Sequence, residues 1–171
     1  FADLVAFDSL ENIQPRRVYK DGQLIAIDGQ LTLPPLESQS IQAKRSVNLG
    51  TLSPADFLIQ ARSRHAHIIG LGKHQLYTED FIGEPAIKND QVVSDTKQDL
   101  LKITVVERHR GTGRRGMGLV QGFGLQRGAL AASIAHDSHN IIAIGADDES
   151  IYRAVSKVAE MQGGIAAVDG E

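Results

Sequence analysis

Apolar and polar positions alternate from the first residues onward. Ala2-Asp3-Leu4-Val5-Ala6-Phe7-Asp8 reads as a strand, because side chains two apart share a face of a pleated chain. Arg17–Ala26 (RVYKDGQLIA) reads as a hairpin, its Asp21-Gly22 pair supplying the positive φ of a type I′ turn. Asp28-Gly29 predicts a second turn. Residues 1–30 are thus all-β and too short to enclose a core, so they call for partner strands. Residues 31–52, with Pro34, Pro35, Ser, Gln and Gly50, read as an irregular connection.

From residue 53 the pattern becomes mixed. Ser53-Pro54-Ala55-Asp56 predicts a short helix or turn, with Ser as cap and Pro in the first helical position. Strands are predicted at His65–Leu71, near 75–82, near 91–94 and over Asp99–Arg108. Ala129–Ala135 and Ile141–Gly145 are short runs of small or β-branched residues suited to a buried sheet. Asp147 or Asp148 then caps the clearest helix. Ile151, Ala154, Val155, Val158 and Ala159 fall on one of its faces, and Gly163-Gly164 ends it before a strand at Ile165–Val168. The fold class expected is α+β, a C-terminal mixed sheet with covering helices. The start at Phe1 inside a strand and the end in Val168-Asp169-Gly170-Glu171 read as those of a fragment.

Composition changes this picture in three places. The chain has no cysteine, which removes disulfides and thiolate metal sites and fits a reducing compartment. It has no apolar run of membrane-spanning length and nothing like a signal peptide. Its net charge of −3 gives no reason to expect nucleic acid. That charge is uneven, however. Lys102, Arg108, Arg110, Arg114, Arg115 and Arg127 stand against Glu107 alone within 102–128.

The same stretch holds seven of the 17 glycines, between Gly111 and Gly128. Gly111-Thr112-Gly113-Arg114-Arg115-Gly116 is literally the dinucleotide-binding spacing. That fingerprint needs a helix at its last glycine. Met117–Gly124 carries three more glycines, each costing about 1 kcal/mol in a helix, so a loop or bulged strand bearing arginines is the plainer reading. Arg114 and Arg115 are candidates for an interface, for ion pairing or for a substrate anion.

His136, Asp137, Ser138, His139 and Asn140 lie between the two apolar runs, where five polar side chains are costly unless satisfied. Three readings stay open: a structural turn held by its own Asx bonds, a polar pocket that moves protons, and a metal site of His136, Asp137 and His139 with an open position. His65 and His67 form an i, i+2 pair of the kind metallohydrolases use, but no further ligands are spaced to complete it. His74 and His109 stand alone. The nucleophile elbow and the P-loop are absent, and the zinc-deaminase Cys-x-x-Cys pattern is ruled out by the lack of cysteine.

Gly118–Leu125 (GLVQGFGL), Arg127-Gly128-Ala129-Leu130-Ala131 and above all Ser133–Asn140 (SIAHDSHN), with the following Ile141–Asp147, resemble the C-terminal domain of bacterial adenine deaminases of the amidohydrolase superfamily. Ala2–Asp8 and Arg17–Ala26 are similar to strands of the β-sandwich that closes that superfamily's barrel. The resemblance implies three parts: 1–30 as the end of a β-sandwich, 31–52 as a linker, and 53–171 as the C-terminal domain. It also implies a cytoplasmic, homo-oligomeric purine-salvage enzyme, converting adenine and water to hypoxanthine and ammonia. A divalent metal (Mn, Fe or Zn) would sit in a barrel absent from these residues, and no metal is expected in this stretch. The partner implied is the remainder of the same enzyme. His65-Ala66-His67 lies in the wrong region to be the barrel's His-x-His, so that role is not carried over. The His136–Asn140 loop is then a candidate border of the active site. The alternative is a module that stabilises the subunit or its oligomer without a catalytic part.

Overall fold

Two Asp-Gly turns shape the first unit. The computed structural model describes residues 2–34, 45–72 and 77–169. It divides into two compact units, residues 1–43 and 44–171. His74 lies outside the described residues, as do Pro35 and the rest of 35–44 in the connection expected over 31–52. In the first unit β1 (Leu4–Phe7), β2 (Pro15–Lys20), β3 (Gln23–Ile27) and β4 (Gln30–Leu31) form an antiparallel meander. Asp21 and Gly22 have φ of 51° and 78°, the doubly positive geometry of a type I′ turn, which brings Lys20 opposite Gln23. None of residues 2–34 is buried. Leu4, at 58% exposure, and Leu31, at 73%, lie open on this thin sheet.

The second unit is built on a seven-stranded mixed sheet. Its strands are β6 (Ala66–Leu71), β7 (Thr78–Gly83), β10 (Leu100–Val106), β11 (Arg115–Gln121), β12 (Ala129–Ala132), β13 (Ile141–Gly145) and β14 (Ile165–Val168), in the order β14-β12-β13-β10-β11-β6-β7. All pairs are antiparallel except β11 with β6. A small sheet of β5 (Ile59–Gln60), β9 (Gln91–Val93) and β8 (Ala86–Lys88) accompanies it.

Among the described residues the sheet is covered by one α-helix and one 3₁₀ turn rather than by several helices. The start at Ser53 does not propagate. Asp56 takes hydrogen bonds from Ser53 N (2.8 Å) and Oγ (2.9 Å), but Leu58 is already extended and leads into β5. The true helix, α1 (Asp148–Glu160), begins at Asp147, whose carboxylate accepts from Ser150 N at 2.7 Å. Ile151, Ala154, Val155 and Val158 pack on Ala129, Ala131, Ile141 and Ala143, and Phe57 of the 3₁₀ turn completes that core beside Tyr152. A second cluster joins Ile68, Leu100 and Leu119 to Val92 of the small sheet.

The glycine-rich stretch forms no helix: residues 111–114 are a loop, as expected, but the strand that follows carries no bulge. Arg115–Gln121 is a regular strand paired residue for residue with β10. Pairing with β10 overrides the weak strand preference of Gly116 and Gly118, and β6 joins the other edge at Val120 and Gln121.

Candidate functional site

Register places two loops side by side. Val106 pairs with both Arg115 and Ile141, and Ala132 pairs with Ile142. The β10–β11 loop (107–114) and the β12–β13 loop (133–140) therefore leave the same end of the sheet.

The first loop is wound around its own anion. The Glu107 carboxylate accepts from the backbone N of His109 (2.5 Å), Arg110 (2.8 Å) and Thr112 (3.2 Å), and from Thr112 Oγ1 (2.8 Å). Desolvation raises its pKa, but these donors together outweigh that and lower it from 4.5 to about 2. Within the Gly-x-Gly spacing the Thr112 amide is thus taken by a carboxylate of the chain itself. A folded pKa below the unfolded value gives stability that is present above about pH 4.5 and lost as pH falls toward 2. A carboxyl-carbon NMR titration is expected to place the Glu107 midpoint near 2, and a midpoint near 4.5 would show that the loop does not hold the carboxylate.

Arg108 and His109 join the loops. Arg108 Nε donates to the His139 carbonyl, and its Nη1 reaches Ser46 O at 3.4 Å and Oγ at 3.3 Å. The His109 ring Nε2 lies 3.1 Å from Ser138 O. His139 adopts φ 51°, and its N donates to Ala135 O at 2.7 Å, closing a tight turn. The side chains of His136 and Asp137 project fully into solvent and bond each other, Nδ1 to Oδ1, at 2.9 Å. Ser138 Oγ accepts weakly from Asn140 N. Asn140 Oδ1 is buried without a hydrogen-bond partner.

The other candidates are placed apart. Arg114 is exposed beside the Glu107 loop. Arg115 is turned back on the protein: its Nη2 meets Asp56 Oδ1 at 2.6 Å, and its Nε donates to Asp56 O. His65 pairs with Glu84 (3.3 Å) and His67 with Asp80 (3.0 Å), both at the sheet's other edge. No group of three or more His, Asp or Glu able to hold a metal gathers among the described residues. The donor set of the described residues therefore does not fit a divalent metal, and no chemical step here runs through one.

Two participants escape a reading of the sequence. Glu107 looks like a lone acid in a basic stretch, and its role follows only from a loop that folds back on it. His109, isolated in sequence, is a clamp on the facing loop.

The part of the chain that carries both loops matches a known family. The adenine deaminase C-terminal domain model matches residues 75–171. The chain belongs to the adenine deaminase C-terminal domain family. Relatives agree over more of the chain. An adenine deaminase of Methanothrix thermoacetophila is 45% identical over 99% of this chain, and one of Desulfatibacillum aliphaticivorans is 44% identical over 99%. One of Listeria welshimeri is 38% identical over 98%. The chain spans about 30% of the length of these curated relatives. The family match takes in both loops, from Glu107 to Arg114 and from Ser133 to Asn140.

Proposed function

We propose that this chain serves as the C-terminal portion of an adenine aminohydrolase, which converts adenine and water to hypoxanthine and ammonia in purine salvage. The observation that carries the reading is the similarity to proteins named adenine deaminase along 98–99% of the chain. The open β1–β4 meander, which buries none of its side chains, fits the end of a β-sandwich completed by further strands. Catalysis then belongs to residues beyond these 171, in a barrel holding Mn, Fe or Zn that would turn water into a nucleophile near neutral pH. The enzyme is proposed to be a cytoplasmic homo-oligomer. No helix among the described residues is long and apolar enough to cross a membrane.

The His136–Asn140 loop is proposed to border that active site. Its support is the exposed His136–Asp137 pair on a turn fixed by Arg108 and His109. In the full-length enzyme His136→Ala or His139→Ala is expected to lower kcat/KM by about 10²-fold or more, the effect of a positioned acid–base group. A loss under about threefold would remove the loop from the chemistry. Ammonia release from adenine with added Mn²⁺ tests the wider reading. The full-length enzyme is expected to release it and the 171-residue chain alone is not.

A second reading makes the domain a module that stabilises the subunit or its oligomer. Arg114, exposed at the end of the sheet, favours it. An unchanged solution mass for Arg114→Glu would count against a contact there.

A further inference from the structure

The strands around α1 are apolar on both sides. Ile141-Ile142-Ala143-Ile144 and Ala129-Leu130-Ala131-Ala132 contain no polar residue. A sheet with one face in water alternates apolar with polar residues, whereas continuous apolar strands belong to sheets covered on both faces. Here α1 covers one face. Directly opposed residues share a face, so the register defines the other. One row across it runs Ile165, Ala132, Ile142, Val105, Gly116. The next runs Ala167, Leu130, Ile144, Ile103, Gly118. Five strands thus cross ten positions without a charge or a hydroxyl. Ile165 is 64% exposed, and Val105 and Phe123 are each 37% exposed. Phe123, Leu130, Ile142, Ile144 and Ile165 line an apolar cleft of ≈ 340 Å³. A Cβ added to Gly116 meets nothing within 4 Å, so the backbone of β11 is also bare at that position.

We propose that this uncovered face is where the domain docks on the remainder of its own polypeptide, which lays an aliphatic layer across β14, β12, β13, β10 and β11. The inference rests on the reading above that the chain is part of a longer enzyme. The occupant is chosen on two grounds. The relatives are more than three times as long as the stretch they share with this chain, so most of their mass is polypeptide tied to the domain. A tethered surface competes at millimolar effective concentration, about a thousandfold above a second copy at micromolar levels. The docked layer would adjoin the sheet end that carries the His136–Asn140 loop, since the row from Ile165 to Gly116 borders that end.

Thiol accessibility in the full-length enzyme tests this, with any cysteines beyond this stretch replaced. Val105→Cys and Ala132→Cys report the face, and Glu149→Cys, exposed in the first turn of α1, is the control. Rates are referred to the urea-unfolded protein. Both face thiols are expected to react with maleimide at least about tenfold more slowly than the control. The protection should persist when the enzyme is diluted to single subunits. Face thiols as reactive as the control would overturn the proposal. Protection that vanishes on dilution would overturn it too, giving the face to a second copy. The readout does not involve adenine. Reactive face thiols in an enzyme that deaminates adenine reject the docking surface alone, and protected thiols in an enzyme inactive on adenine reject the substrate alone.

Discussion

Replacing Asp148 with alanine is expected to destabilise the 44–171 unit by about 3–5 kcal/mol, the range for stripping one partner from a buried ion pair. Lys102 lies in the middle of β10 with its side chain 2% exposed. Its Nζ meets Asp148 Oδ1 at 2.6 Å and Phe57 O at 3.3 Å. In Asp148→Ala the ammonium keeps one weak carbonyl partner and little water, so its desolvation goes uncompensated. The opposite deletion differs. Lys102→Met keeps the aliphatic stem packed and removes the buried charge. Asp148, 22% exposed in the first turn of α1, can then rehydrate where the helix dipole favours a carboxylate. The loss expected for Lys102→Met is about 1–2 kcal/mol. The double variant should be more stable than Asp148→Ala alone. Urea unfolding of the three variants decides the matter. Equal losses in the two single variants would show that stranding the buried cation is not what makes Asp148→Ala costly.

That pair also marks where reading the chain runs out. A lysine between Leu101 and Ile103 can be seen in sequence, but its partner comes from 46 residues downstream across a sheet whose strand order is not written locally. Features carried by neighbouring residues were legible. Asp21-Gly22 made its turn, Asp147 capped its helix, and Ile151, Ala154, Val155 and Val158 faced the core as their spacing required. Features set by long-range pairing were not. β11 is a regular strand because β10 pairs with it along its whole length, and four glycines and two arginines between 111 and 118 concealed it. β4, β5 and β8, of two or three residues each, are too short for a period to show. The loop at 136–140 was visible as a polar interruption. Its attachment to the 107–114 loop through Arg108 and His109 was not, because contact between two loops follows from register rather than from composition.

The second large effect is expected at Gly128, which opens β12. Its φ is +71°, where an L side chain is strained by about 1–2 kcal/mol. A Cβ there would also stand 1.9 Å from the carbonyl oxygen of Val168 and 2.9 Å from its carbonyl carbon. Those are backbone atoms of β14, bonded to β12 in the register Ala129 to Val168, so neither strand can yield without losing pairs. Forcing atoms into a packed site costs about a further 1–3 kcal/mol. Gly128→Ala should therefore lose about 2–5 kcal/mol in all. The amides of β14 should exchange faster while those of β10 and β11 stay protected. Gly124→Ala separates the two causes. Its φ is +82° with nothing within 4 Å of an added Cβ, so it should show the conformational strain alone. If both variants lose the same stability, the close approach of Val168 contributes nothing. If Gly128→Ala loses more and β14 alone opens, that edge strand is held by a contact only glycine permits. Ile165 would then leave the uncovered face together with β14.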